Sequence, residues 1–304
     1  MREIYYLFKR NVWLYLRDYV SVFFSILSML IVLALMVIFL GKMNSENLVD
    51  MLAQLGGARD TAADEKNAAY LIQMWTLAGI LEVNTVTIPM TVMGTMVHDE
   101  AAKRLASFYL APVRRSKITL GYILSSWLVG AGMCILTLVL GELYLVLSGH
   151  PLLDAASCLN LLWMIILNAL VYASIAYLIA IFIHSESAWS SILTIVGTLV
   201  GFVGAIYLPM SMLPEGVAKV LKCLPVLHGS AMMRKVCTRD AIAKTFDGLP
   251  DIAGEMFREQ MGVTIFWGEE EISLQYEVLF LVICATIAII LATAISKRHR
   301  LRDR

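Results

Sequence analysis

A chain of 304 residues that is 59% hydrophobic and only 16% charged is too apolar for an ordinary soluble domain, which runs nearer roughly one half apolar and one quarter charged. The excess sits in long uninterrupted blocks, the pattern of membrane-spanning helices and not of one large core. A net charge of zero gives no support for a nucleic-acid partner, and five scattered cysteines make neither a disulfide scaffold nor a metal cluster.

Residues 1–18, MREIYYLFKRNVWLYLRD, have helical periodicity. At about 100° per residue, Ile4, Leu7, Phe8, Val12, Leu14 and Tyr15 share one broad face, and Arg2, Lys9, Arg10 and Arg17 share the other with Tyr6 and Trp13. Such a helix is expected to lie flat in the headgroups. The apolar run behind it is too long for the core of a cleavable signal peptide and lacks a small-residue cleavage site.

Six segments are long enough to cross a bilayer core, which needs about 20 residues of helix. They are 19–41, 68–97, 118–147, 155–183, 187–208 (ending before Pro209) and 278–295. The second to fourth exceed the minimum, so tilt or protrusion is expected. Basic residues near span ends set the orientation. Arg2, Lys9, Arg10 and Arg17 precede span 1, while Lys103, Arg104, Arg114, Arg115 and Lys117 separate spans 2 and 3. Lys297, Arg298, Arg300, Arg302 and Arg304 follow span 6. All three groups fall on one side, so both termini are expected in the cytoplasm and the acidic first loop (Glu46, Asp50, Asp60, Asp64, Glu65) outside. Segment 210–277 is then external despite Lys219, Lys222, Arg234 and Lys235, because long loops obey the charge rule weakly.

Span 2 carries Glu82 near its middle. An ionisable residue at that depth costs at least about 2.5–3.5 kcal/mol if it faces lipid. It therefore faces a cavity, as part of a substrate path or cation site, or it holds spans together by an internal hydrogen bond. Asn84, Thr87, Thr91 and Thr95 follow at helical spacing as a polar stripe. Glu142, near the outer end of span 3, reads as structural.

The loop 98–117, HDEAAKRLASFYLAPVRRSK, anchors one membrane face by charge. Its interior is amphipathic and aromatic, and Pro112 stops any helix before span 3 begins. A short surface helix followed by a sharp turn suits contact with a soluble partner.

In span 5, Gly197, Gly201 and Gly204 form a G-x-x-x-G-x-x-G run. Glycines let backbones approach closely, either between two copies or within one subunit. Cys134, Cys158 and Cys284 fall in apolar runs as small hydrophobes. Cys223 and Cys237 lie in a polar region and could pair in an oxidising compartment. The five histidines sit at span ends or in loops, and no HExxH or GxSxG arrangement is present.

The loop residues Asp99, Glu100, Leu105, FYLAPVRR and LGYIL resemble a pattern in the membrane subunits of type-2 ATP-binding-cassette exporters. Lys103 and Arg104 depart from it, standing where the family often has Gly-Thr, and Ala111 stands for Thr. A second match is GAIYLPMSMLPEGVAKVLKCLPVLHGSAMMRKV. Its Gly204, Pro209, Pro214, Pro225 and Arg234 fit the family's external helical hairpin, which dips back into the membrane.

The resemblance implies an all-α, polytopic membrane protein. It would have an interfacial helix (1–18), then a six-span permease domain (19–304) with a coupling loop (98–117) and an external re-entrant hairpin and loop (209–277). It implies a dimer of permeases served by two separate ATPase subunits, which would carry ATP and Mg. The coupling surface would use Asp99, Glu100, Lys103, Arg104, Phe108, Tyr109, Pro112, Arg114 and Arg115. The chain has no G-x-x-x-x-G-K-[ST] sequence of its own to cradle ATP phosphates. The expected function is export of a hydrophobic or amphipathic cargo (drug, peptide or lipid) across the plasma membrane. A polysaccharide exporter of the same class and a proton-coupled carrier using Glu82 remain as alternatives.

Overall fold

The computed structural model describes residues 2–35, 42–54, 60–110, 113–268 and 270–298. Thirteen helices account for most of the described structure. They begin with α1 (Arg2–Arg17), α2 (Tyr19–Leu35), α3 (Lys42–Gln54), α4 (Thr61–Ala101), α5 (Arg104–Leu110), α6 (Arg115–Leu147), α7 (Ala155–Ala180) and α8 (Glu186–Val203). Four short helices follow, α9 (Glu215–Leu221), α10 (Pro225–Cys237), α11 (Arg239–Thr245) and α12 (Asp251–Gln260). The last is α13 (Leu274–Arg298).

Five of these helices, α4, α6, α7, α8 and α13, are long and apolar enough to cross a membrane. The expected first span, 19–41, begins as α2, whose 17 residues end at Leu35; the remaining residues 36–41 lie outside the described residues.

Local chemistry places the helix starts. Asp60 caps α4 by accepting from the backbone N–H of Ala62 and Ala63. Asp154 caps α7 through Ala156 and Ser157, and Ser185 caps α8 through Ala188. Each satisfies amide groups that have no partner in the first turn. Between α8 and α12, prolines do the punctuating. Pro214 and Pro250 stand just before α9 and α12, and Pro225 opens α10, where a missing N–H costs nothing.

Helix α4 is the axis of the bundle. It packs against α6, α7, α8 and α10, and is buried along most of its length. Small residues set the spacing where apolar packing must replace a hydrophobic drive. A Cβ on Gly130 of α6 would come within 2.5 Å of the Pro89 ring in α4, and one on Gly141 within 2.3 Å of the Leu77 side chain. Pro89 lies inside α4, and Ser126 of α6 donates to its carbonyl at 2.6 Å.

Three local features complete the fold, and the last corrects a sequence expectation. Segment 235–277 is largely helical, and its FWGEEE stretch includes a two-residue antiparallel ladder, Phe266 with Glu271 and Trp267 with Glu270. Cys223 and Cys237 are both unpaired, the first exposed and the second buried. On α1 the buried line runs through Asn11 and Tyr15; Leu14 turns outward, 41% exposed. Arg10, expected on the outer polar face, points inward.

Candidate functional site

At the end of the bundle that carries α1 and α5, four elements converge on one carboxylate. Asp99, in the last turn of α4, is fully buried. Arg10 of α1 grips it with two hydrogen bonds, Nη1 to Oδ2 at 2.7 Å and Nη2 to Oδ1 at 2.8 Å. Tyr122 of α6 donates its hydroxyl to Oδ2 at 2.6 Å, and Arg104 of α5 stands 3.7 Å away. The Arg10 guanidinium also lies 5.1 Å from the centre of the Phe108 ring in α5, a cation–π distance. The Asp99 hydrogen bonds raise the pKa of Arg10 above its ordinary value. A second link, Lys117 to Glu3, ties α1 to α6 and lowers the Glu3 pKa.

The other expected loop residues surround this cluster. Glu100 lies 3.8 Å from His184, and His98 meets Glu186 at 2.6 Å, so the turn between α7 and α8 joins the same end. Lys103 takes φ of +57° in the turn after α4. Arg114 is exposed just before α6, and Arg115 donates to the Ser296 carbonyl of α13. Tyr109 belongs to α5; Pro112 lies outside the described residues.

Along the bundle, α2, α4 and α8 border a lateral groove. It consists of three adjoining hollows of about 430, 200 and 310 Å³, all of which reach Thr91. Asn84 and Thr87 line the two inner hollows, and Gly94, Thr95 and His98 line the one nearest the Asp99 cluster. Asn84 is anchored by donating to Thr137 of α6 at 3.0 Å. Thr87 and Thr91 each bond back to the carbonyl four residues earlier, so both present methyls and a satisfied hydroxyl.

Glu82 does not line the groove. It is fully buried on the other side of α4. Tyr172 of α7 donates to Oε1 at 2.6 Å, and Thr85 reaches Oε2 at 3.3 Å. Asn168 of α7 donates to the Met164 carbonyl, while its Oδ1 finds no donor. Gly229 of α10 closes over this group. A Cβ there would sit 2.3 Å from Glu82 Oε1 and 2.5 Å from Asn168 Oδ1. Of the two roles left open for Glu82, the hydrogen bonds seen here are internal.

At the far end, Arg234 of α10 is fully buried. It donates to the carbonyls of Ala205 (2.7 Å), Gly262 (3.1 Å) and Met261 (3.3 Å). Its guanidinium stacks 4.5 Å from the centre of the Trp75 ring, and Trp75 Nε1 donates to the Met261 carbonyl at 2.8 Å. One side chain thus ties the turn after α8 to the turn after α12. Pro209 precedes a short 3-10 turn, Met210–Met212, that begins this segment.

The three glycines of α8 part company. Gly197 has open space where a side chain would go. Gly201 and Gly204 are covered by their own chain, with a Cβ on Gly201 falling 2.2 Å from the Tyr207 ring and one on Gly204 2.9 Å from Ile206.

A family model described as ABC-2 family transporter protein matches residues 59–295. The chain belongs to the ABC-2 transporter family. No curated protein matches it. An ABC-2 permease is a multi-pass membrane subunit that does transport and not catalysis, and such permeases usually pair with an ATPase subunit. In this ABC-2 chain the match takes in the α4 and α8 walls of the groove, Glu82, Arg234 and most of the Asp99 cluster, but neither α1 nor α2.

Sequence reasoning missed several partners in this permease: Tyr122 for Asp99, Tyr172 for Glu82, and Trp75 for Arg234. Each lies on a different helix from the residue it serves, so no local spacing announces it. The one available signal was the cost of burying charge, which demands partners without naming them.

Proposed function

We propose that this ABC-2 permease is the membrane half of an ATP-driven exporter that works as a dimer with two separate ATPase subunits. It crosses the plasma membrane six times, the first span beginning at α2, with both termini in the cytoplasm. Residues 98–117 form the ATPase-coupling surface, and α9 and α10 form a re-entrant hairpin within the external segment 209–277. The cargo is hydrophobic or amphipathic: a drug, a peptide or a lipid.

The observation that carries this reading is the groove between α2, α4 and α8. Its two inner hollows are mostly apolar with a few fixed polar groups, Asn84, Thr87 and Thr91, and the third adds charged groups (Asp18, His98, Arg104 and Glu186), a combination that suits an amphipathic ligand. It opens on the flank of the bundle, bordered by the exposed face of α8, where Ile195 and Leu199 are 56% and 50% exposed. A second copy seated on Gly197 would turn two half-channels into one cavity. Glu82 braces the channel wall from behind. The Asp99 cluster supports the coupling role, because pressure on α5 reaches α1, α4 and α6 through a single carboxylate.

The test is reconstitution in liposomes with the candidate ATPase subunit, using fluorescent amphipathic cargoes. Thr87→Trp should block ATP-dependent transport while the purified chain keeps its melting temperature. Transport unaffected by Thr87→Trp, or full transport driven by a proton gradient without any ATPase, would reject the reading.

A further inference from the structure

A hollow of about 530 Å³ lies beside the start of α13, and shares no lining residue with the groove. We propose that it is a binding site for one resident ethanolamine phospholipid of the bilayer, whose headgroup sits on Lys222, Glu270 and Glu271 and whose chain runs down α13. This rests on α13 crossing the membrane, not on the exporter reading.

The shape fits a lipid at the boundary between headgroups and hydrocarbon. The apolar wall is Leu279, Phe280 and Ile283, in the first turns of α13. Leu279 and Ile283 are 53% and 45% exposed and one helical turn apart, so together they offer a strip along the bilayer normal. Above them stand two exposed aromatics, Tyr276 at 68% and Trp267 at 60%, the residue types that settle at the membrane interface.

The rim charges select the headgroup. Lys222 is a cation with no acidic partner among the described residues, and it suits a phosphate. Glu270 and Glu271 supply two carboxylates beside it. Lys235 is only loosely placed toward Glu271, at 3.9 Å, and is held by Glu277 and the Ile272 carbonyl at 3.2 and 2.9 Å. Carboxylates repel a purely anionic lipid. A choline headgroup cannot donate hydrogen bonds to them, whereas a primary ammonium can donate three.

His228 closes the hollow on the side next to Phe280. It lines the hollow, is 4% exposed, and leans on Phe280 with ring centres 4.6 Å apart. Its Nε2 lies 2.9 Å from the Lys222 carbonyl, an acceptor, so Nε2 carries the proton and Nδ1 is a bare acceptor. That Nδ1 has no partner among the described residues and is sealed from the hollow, so the lipid is held by the rim charges and the apolar strip.

The experiment uses the full chain in nanodiscs made from an equimolar mixture of ethanolamine, choline and glycerol phospholipids, followed by native mass spectrometry. One ethanolamine lipid retained per protomer is the expected result. Lys222→Ala, at a half-buried position, and the pair Glu270→Gln with Glu271→Gln, at exposed ones, should each cut that retention about tenfold without changing the melting temperature. Ile283→Trp, which fills the apolar strip, should also expel it. Equal retention of all three lipids, preference for the glycerol lipid, or retention indifferent to these variants would overturn the proposal.

Discussion

Arg10 holds Asp99 through a two-pronged hydrogen bond that joins the first helix of the chain to the end of its central one. A planar guanidinium matches a carboxylate in this way and an ammonium does not. Asp99 is fully buried, so the pair cannot be treated as a surface ion pair. Truncating one partner of a fully buried pair costs about 3–5 kcal/mol. The Arg10 side chain keeps 29% exposure and Tyr122 stays as a donor, so Arg10→Ala should cost less, on the order of 2 kcal/mol. Arg10→Lys keeps the charge, loses the fork, and should recover part of it. Thermal unfolding of the purified chain reads the stability. With an ATPase subunit present, uncoupled ATP hydrolysis in Arg10→Ala would be the functional counterpart.

Lys103 occupies a backbone conformation better suited to glycine. Its φ of +57° is left-handed, which costs a residue with a Cβ roughly 1–2 kcal/mol. Glycine is the residue that the resembling loop pattern carries at this place. Lys103→Gly should therefore raise stability by about 1 kcal/mol, and the β-branched Lys103→Val should lower it. A melting temperature that falls in Lys103→Gly would show that the side chain contributes more than its strain costs.

Much of this architecture can be read from the chain because membrane helices announce themselves by length and apolarity. The expected spans 118–147 and 155–183 match α6 and α7 within three residues at every end. The prolines at 214 and 225 mark helix starts for the reason proline always does. What the sequence withholds is rotation and partnership. Arg10 looks like a solvated base on a helical wheel, since periodicity cannot see that Asp99 lies beside it in space. Likewise Glu82 and Thr87 are five residues apart on one helix, yet face different sides of it. The glycine run in α8 reads as a single seam, but the chain turns back after Ala205 and covers two of its three members.

Gly229 is the point where α10 rests on the buried carboxyl of Glu82. A methyl group there would fall within 2.3 Å of a carboxylate oxygen, and the neighbouring Asn168 leaves it no room to move aside. Gly229→Ala should lift α10 and destabilise the chain by about 1–3 kcal/mol, the usual cost of overpacking. Cys237, now buried at the other end of α10, should become reactive to a maleimide in this variant. Unchanged protection of Cys237 would mean that α10 absorbs the methyl without moving.

Gly197 and Gly201 lie one turn apart on α8 but make opposite predictions. A side chain at Gly201 must displace the Tyr207 ring, which lies 2.2 Å from the Cβ position, so Gly201→Ala should lower the melting temperature, by about 1–3 kcal/mol of stability. Gly197 meets nothing within 4 Å, so Gly197→Ala should be tolerated within roughly 0.5 kcal/mol. If α8 forms the seam between two copies, Gly197→Cys should give a cross-linked dimer on oxidation in membranes. Cys223 is exposed and Cys158 and Cys284 are half-buried; all three must be replaced by serine first, so that any cross-link belongs to position 197. Cross-linking at 197 with no stability loss would place the second copy against the open side of the groove. A stable Gly197→Cys variant that stays monomeric under oxidation would move the dimer contact away from α8, and with it the wall that completes the channel.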